Sequence, residues 1–344
     1  MTAKPLISLV VPVYNEAEGI RHFHERATAA LKALADYEYE LVYVDDGSRD
    51  DSYNVMRSFA DGDWRVQIVK FSRNFGHQIA ITAGLDYARG DAVVFIDADL
   101  QDPPELIAEL VTKWREGNDV VYARRAARKG ETAFKLATAA AFYRLLRSLA
   151  NIDIPPDVGD FRLISRRVAD QLRTMREKDR FIRGLVSWVG FKQSFIMYNR
   201  DERYAGETKY PLAKMIKFAF DGLTSFSSAP LRVATWMGYF ASALAFLYLI
   251  AVFVQVALGV TIEGWATIMV AVLFLGGVQL ICVGILGEYL GRVFTEIKAR
   301  PVYIVEEVAQ AREPAASTQT REPAALTSNR QPAPALAAQG ANAM

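Results

Sequence analysis

Cysteine is almost missing from this chain. A single residue, Cys282, lies in an apolar segment, so no internal disulfide can form and nothing points to an oxidising compartment. Net charge is scarce as well: 40 basic against 39 acidic residues leave +1, which argues against a general nucleic-acid binder. No G-x-G-x-x-G follows the first apolar run, which excludes a dinucleotide-binding oxidoreductase, and there is no P-loop. Of three histidines, His22 and His24 share a helical stretch with no partner cluster, and His77 reads as a helix-start residue rather than a metal ligand. There is no internal repeat. The N-terminus runs into a strand without a charged leader and secretory-type apolar stretch, so the N-terminal region is expected to stay in the cytoplasm. At 344 residues, 51% of them apolar, the chain can bury a sizeable core.

Charge is also absent from two long runs late in the chain, 233–262 and 264–287, with Glu263 alone between them. Each exceeds the ~20 residues a helix needs to cross the hydrocarbon core. Two buried helices of a soluble protein would be the alternative. Lys214, Lys217 and Arg232 precede the pair, and Arg292, Lys298 and Arg300 follow it, so the positive-inside rule puts both ends in the cytoplasm. No intramembrane acid–base pair suggests a channel or pump.

Apolar, β-branched runs at 7–11, 41–44, 66–71 and 92–96, with 120–122 as a fifth, alternate with helical patterns. That alternation predicts a mostly parallel sheet with helices on both faces. In such sheets ligands bind beyond the carboxyl ends of the strands. The polar clusters PVYNE, DDGS, SRNFGH and DADLQ all fall there.

The run DADLQDPPE, 97–105, is the most informative. If it is extended, Asp97, Asp99 and Gln101 at alternate positions present oxygens to one point, which suits Mg²⁺ or Mn²⁺ with positions left for substrate phosphates. Asp102, ahead of Pro103, Pro104 and Glu105, reads as a helix N-cap with a capping-box glutamate. Tyr14 could stack on a nucleobase. Asp46 could accept the N–H of a uracil-type or guanine-type ring, or simply belong to an Asp-Gly-Ser turn.

VPVYNE, VDDGS, RNFGHQ with ITAGLDYARGD, and DADLQDPPE, in this order, resemble family 2 glycosyltransferases of the GT-A fold. GDFRLISR at 159–166, GETKYP at 206–211 and the apolar hairpin narrow the resemblance to polyprenyl-phosphate glycosyltransferases, nearest to bactoprenol glucosyltransferases and further from dolichol-phosphate mannose synthases. The resemblance implies that Pro12, Tyr14, Glu16, Asp46 and Asp97 hold the nucleotide and that Asp99 and Gln101 ligate Mg²⁺ or Mn²⁺. It places Arg124, Lys135, Arg200, Arg203 and Lys209 at donor or acceptor phosphate. Asp97, Asp157 and Asp160 are carried over as catalytic residues.

The expected organisation is a cytoplasmic catalytic domain over 1–210, an amphipathic membrane-surface segment over 211–232, two transmembrane helices within 233–292, a juxtamembrane segment over 293–309 and a disordered tail over 310–344. The expected reaction transfers a sugar, glucose in the first instance, from a UDP-sugar to undecaprenyl phosphate in the bacterial inner membrane. Partners are then the nucleotide sugar, the polyprenyl phosphate, the bilayer and a second copy, with Gly276, Gly277 and Gly284 at helix contacts. Competing readings are transfer of another sugar, a processive polysaccharide synthase, whose Gln-x-x-Arg-Trp motif is missing, and a membrane-tethered nucleotide-sugar sensor.

Overall fold

The computed structural model describes residues 4–126, 158–178, 180–199, 229–259 and 264–311. Lys135, Asp157, Arg200, Arg203, Lys209, most of the 211–232 segment and the tail beyond 311 lie outside the described residues.

Strands β1 (Leu6–Val13), β2 (Glu38–Asp45), β3 (Val66–Phe71) and β4 (Ala92–Phe95) alternate with helices α1 (Ile20–Lys32), α2 (Ser52–Gly62) and α3 (His77–Tyr87). A single 3-10 turn (Pro104–Leu106), α4 (Ile107–Arg115) and β5 (Val120–Arg125) follow. Then come β6 (Val158–Ser165), α5 (Arg166–Thr174), α6 (Ile182–Trp188) and β7 (Gln193–Tyr198). The hairpin helices are α7 (Ala229–Ala257) and α8 (Trp265–Ile297), and β8 (Val305–Gln310) closes the described chain.

The sheet runs β7-β5-β6-β4-β1-β2-β3-β8. β4, β1, β2 and β3 are parallel neighbours, as are β5 and β7, while β6 and β8 run antiparallel to the strands they pair with. The predicted mostly parallel sheet is therefore present. Its strands read as unbroken apolar runs because both faces are covered. Ile7, Leu9 and Val11 pack with residues of α1, α2 and α4, whereas Val10 packs on the other face with residues of α3, α5 and α6. On α1 the buried positions Ile20, Phe23, Ala27 and Leu31 form the single stripe that a half-covered helix requires. Helix α3 is different: Ala80 to Leu85 are all buried, and a Cβ added at Gly84 would come within 2.1 Å of Val10 Cγ1. Only glycine lets this helix lie so close to β1.

Helices α7 and α8 contain candidate membrane spans, Pro230–Gln255 and Val270–Ile297. Trp236, Phe253 and Leu280 lie about 70% exposed, an outward apolar surface that water would not tolerate. The Cys282 thiol donates to the Ala234 carbonyl across the pair at 3.4 Å. Added Cβ atoms at Gly276, Gly277 and Gly284 would meet nothing within 4 Å, so these glycines do not mediate the contact between the two helices.

The juxtamembrane segment holds an element not foreseen from the sequence. After α8 the chain returns and adds β8 along β3, pairing Ile68 with Ala309 and Lys70 with Glu307. Tyr303 stacks on Phe71 at 5.1 Å, and Glu307 takes hydrogen bonds from Tyr53 and Arg57, each at 2.6 Å. A short run of β-branched residues after Pro301 was the available signal.

Candidate active site

Register alone puts the predicted clusters on one rim. Val13 lies opposite Asp45, Asp45 opposite Lys70, and Val10 opposite Phe95, so the loops that leave β1, β2, β3 and β4 emerge side by side. Antiparallel β6 enters at the same rim: Phe95 pairs with Arg162, which brings Asp160 beside Asp97.

Pro12 is buried inside β1, while Tyr14 is 42% exposed just beyond its end, with a face open to a ring. Asn15 adopts a left-handed φ of 55° and accepts the Arg49 N–H at 2.8 Å, and the Glu16 N–H donates to Ser52 Oγ at 2.8 Å. These bonds join the first and second polar loops. Asp45 accepts the Ser48 N–H at 3.0 Å, the turn chemistry expected of this sequence. Asp46 is buried and accepts from Phe75 N at 2.6 Å and Gly76 N at 3.0 Å, so it fastens the third loop to the second. Burial raises its pKa in spite of these bonds. Gly47, with φ of 70°, lets the backbone of Arg73 and Asn74 pass within 2.6 Å of where a Cβ would stand.

The DADLQ segment departs from expectation. The strand ends at Phe95, Leu100 takes a left-handed φ of 60°, and Gln101 N donates to Asp99 Oδ1 at 3.1 Å. The chain thus turns after Asp99 instead of staying extended, and the alternation argument that aligned Asp97, Asp99 and Gln101 does not hold. Asp102 is not an N-cap either. It is buried and takes the Tyr198 hydroxyl, while Pro103 stands at the cap position and Glu105 pairs with Arg26 at 2.8 and 2.9 Å.

Asp97 is the most strained charge at the rim. Its Oδ1 is buried and takes no hydrogen bond. Burial, with the charges of Asp160, Asp99 and Asp102, pushes its pKa up to about 6 against the pull of His77. An under-compensated carboxylate among further acids is a setting that a divalent cation relieves. Among the described residues no group of three or more His, Cys, Asp or Glu side chains gathers to hold a metal. The residues present would suit an open Mg²⁺ or Mn²⁺ site and not a closed protein cage.

Asp160 is nearly buried and is gripped side-on by Arg183, Nε and Nη2 each lying 2.9 Å from one carboxylate oxygen. Burial alone would raise its pKa, but Arg183, the His77 hydrogen bond and Arg162 hold it well below the usual carboxylate range. Asp160 Oδ2 also faces His77 Nε2 at 3.3 Å. Asp160, expected to be catalytic, is thus held in place by Arg183 and His77 beside Asp97. Arg162 is fully buried below it, donating to the Gly159 carbonyl at 2.6 Å. Arg124 leaves β5 with its guanidinium 5.4 Å from the centre of the half-exposed Phe195 ring. His77 and Arg183 were missed from the sequence. The first was absorbed into a helix start, and the second stands in no recognisable motif and meets Asp160 only through the fold.

The described residues thus combine an acidic strand-end rim on an α/β sheet with an apolar helical hairpin. The model for glycosyl transferase family 2 matches residues 8–173, and that for the GtrB C-terminal hairpin matches residues 229–293. An uncharacterized glycosyltransferase of Bacillus subtilis, YkcC, is 53% identical over 87% of this chain and 93% of its own length. The bactoprenol glucosyl transferase of Shigella phage SfV is 43% identical over 88% of this chain and 99% of its own. A prophage bactoprenol glucosyl transferase homolog of Escherichia coli matches equally well, at 43% over 88% and 99%. The chain belongs to glycosyltransferase family 2 and is a membrane-anchored glycosyltransferase. Among solved structures, the mannosyltransferase PcManGT of Pyrobaculum calidifontis, in complex with GDP-Man and Mn²⁺, is 18% identical with a TM-score of 0.44, covering 82% of this chain and 88% of that one. The family assignment rests on the sequence matches.

Proposed function

We propose that the protein transfers glucose from UDP-glucose to the phosphate of a polyprenyl carrier such as undecaprenyl phosphate, with inversion at the anomeric carbon. The observation that carries this reading is the likeness to bactoprenol glucosyl transferases, which spans the catalytic domain and the hairpin together. The bond from the anomeric carbon to the UDP oxygen breaks, a bond to the lipid phosphate oxygen forms, and UDP leaves. The nucleophile is already ionised at neutral pH, so no general base is demanded.

In this reading Pro12, Tyr14, Glu16 and Asp46 line the nucleotide, Tyr14 offering its exposed ring to the base. Asp97 stands near ribose and diphosphate. Asp99 and Gln101 would hold a Mg²⁺ or Mn²⁺, which would supply neutralisation of the charge that develops on the leaving diphosphate. Asp46 accepts from the Phe75 and Gly76 amides, and its carboxylate retains acceptor capacity for a ring N–H. Arg124, Lys135, Arg200, Arg203 and Lys209 bring the two anionic substrates together, arginine by its planar fork and lysine as a point charge. Asp157 is carried over from the family motif as a catalytic residue. Catalytic domain and both ends of the chain face the cytoplasm, in keeping with the basic residues that flank the hairpin.

The test is incubation of the detergent-solubilised protein with undecaprenyl phosphate, Mg²⁺ or Mn²⁺ and a panel of nucleotide sugars. Glucosylated lipid from UDP-glucose is expected. No sugar transferred to the carrier would sink the reading, and a preference for another UDP-sugar would correct the donor.

A further inference from the structure

We infer that His77 is a positioning residue for Asp97, its imidazole aimed by Asp160 and locked through Arg183. The inference rests on the glycosyl-transfer reading above for the importance of Asp97. It rests for its geometry on a line of four side chains, from α6, β6, α3 and the loop after β4.

The line starts at Arg183, whose two donors fix both oxygens of Asp160. With its orientation set, Asp160 offers Oδ2 to His77 Nε2 at 3.3 Å. An ionised carboxylate only accepts, so Nε2 carries the proton. The same Nε2 lies 3.5 Å from Asp97 Oδ1. The imidazole thus stands between two carboxylates, hydrogen-bonded to the clamped one and 3.5 Å from the other. Asp97 Oδ1 is buried and has no hydrogen bond of its own. The imidazole is therefore a neighbour able to limit where that carboxylate turns.

His77 is itself held at the point where it is needed. It is the first residue of α3, and Gly76 before it has a φ of 105°, a backbone conformation that fits glycine. The Gly76 N–H is tied to Asp46, so the start of α3 cannot slide along the rim without breaking that bond. The arrangement repeats the logic by which groups behind a ligand set its orientation, where loss of the outer partner costs 10- to 100-fold.

Glutamine places an amide N–H close to the position of imidazole Nε2, whereas alanine removes the donor. His77→Ala should lower kcat for sugar transfer about 10- to 100-fold, with a much smaller change in the KM for polyprenyl phosphate, and His77→Gln should recover much of the loss. Affinity for UDP with Mn²⁺, measured by calorimetry on the full chain in detergent, should fall in His77→Ala and recover in His77→Gln. A second readout needs no turnover: the ¹⁵N signal of the His77 ring should shift in Arg183→Lys, which changes the grip on Asp160. Unchanged kcat and UDP affinity in His77→Ala would overturn the inference, as would glutamine behaving no better than alanine, or a ring signal indifferent to Arg183→Lys. Failure of the wild-type protein to transfer sugar would instead sink the functional reading, and the ring signal would still report on the positioning line.

Discussion

Asp160 and Arg183 meet in a two-pronged ion pair, each nitrogen 2.9 Å from its oxygen, although they stand on β6 and α6 and share no sequence motif. Because the pair holds the Asp160 pKa well below the usual carboxylate range, it adds stability above the unfolded-state pKa. That contribution is lost progressively as pH falls from the unfolded-state pKa through the lower folded-state value. Asp160→Asn should cost about 3 kcal/mol near neutral pH, since it leaves the guanidinium without its partner in a mostly buried place. Chemical unfolding followed at several pH values should show the difference between wild type and variant shrinking toward strong acid. A difference that stays constant down to pH 2 would count against the pair.

Gly84 is pressed against Val10. A methyl group there would have to displace a β-branched side chain in the middle of the sheet, so Gly84→Ala should destabilise the catalytic domain by about 1–3 kcal/mol. This outweighs the ~1 kcal/mol by which alanine normally favours a helix over glycine. Thermal unfolding of the two proteins decides the sign.

Replacement of Arg203 or Lys209 by Ala is expected to weaken use of the polyprenyl phosphate more than binding of the nucleotide. Initial rates at varied carrier concentration, alongside UDP affinity, separate the two. An unchanged carrier response would remove these residues from the acceptor site and leave them as charges near anionic headgroups, worth about 1 kcal/mol each.

Asp99→Asn should raise the concentration of Mg²⁺ or Mn²⁺ needed for half-maximal turnover. Titration of the ion at fixed UDP-glucose measures it. Full turnover by the variant at limiting ion would move the cation away from Asp99.

Tyr303→Phe removes the hydroxyl that donates to Asp86 Oδ2 at 2.8 Å while keeping the stack on Phe71. A loss of about 1 kcal/mol is expected from one such bond. Greater hydrogen exchange at the amides of β8 is the specific sign, and unaltered exchange there would mean that the bond does not hold the strand.

Much of this architecture was legible because it is written in local patterns. Unbroken apolar runs such as 41–44 can only be strands covered on both sides, and the charge-free runs after Arg232 are too long for most other uses. The rim followed from a topological rule, so PVYNE, DDGS and DADLQ could be gathered before any coordinates. What escaped depends on tertiary partners. The left-handed turn at Leu100 is invisible in a leucine, and Asp102 looked like a cap because its true partner, Tyr198, lies on a distant strand. Arg183 carries no local mark of its pairing, and β8 is a short strand that makes sense only once β3 offers it an edge.

The return of the chain from α8 to β8 has a mechanical consequence. A globule hung from a hairpin by one linker could swivel freely above the bilayer. Here the segment after α8 is stitched to the sheet, and the backbone N–H of Lys178 donates to Glu296 in the last turns of α8 at 2.7 Å. The end of the second helix is thereby fastened to the catalytic domain on both sides of its last turn, by a strand and by a side chain, and a swivel about that end would have to break both.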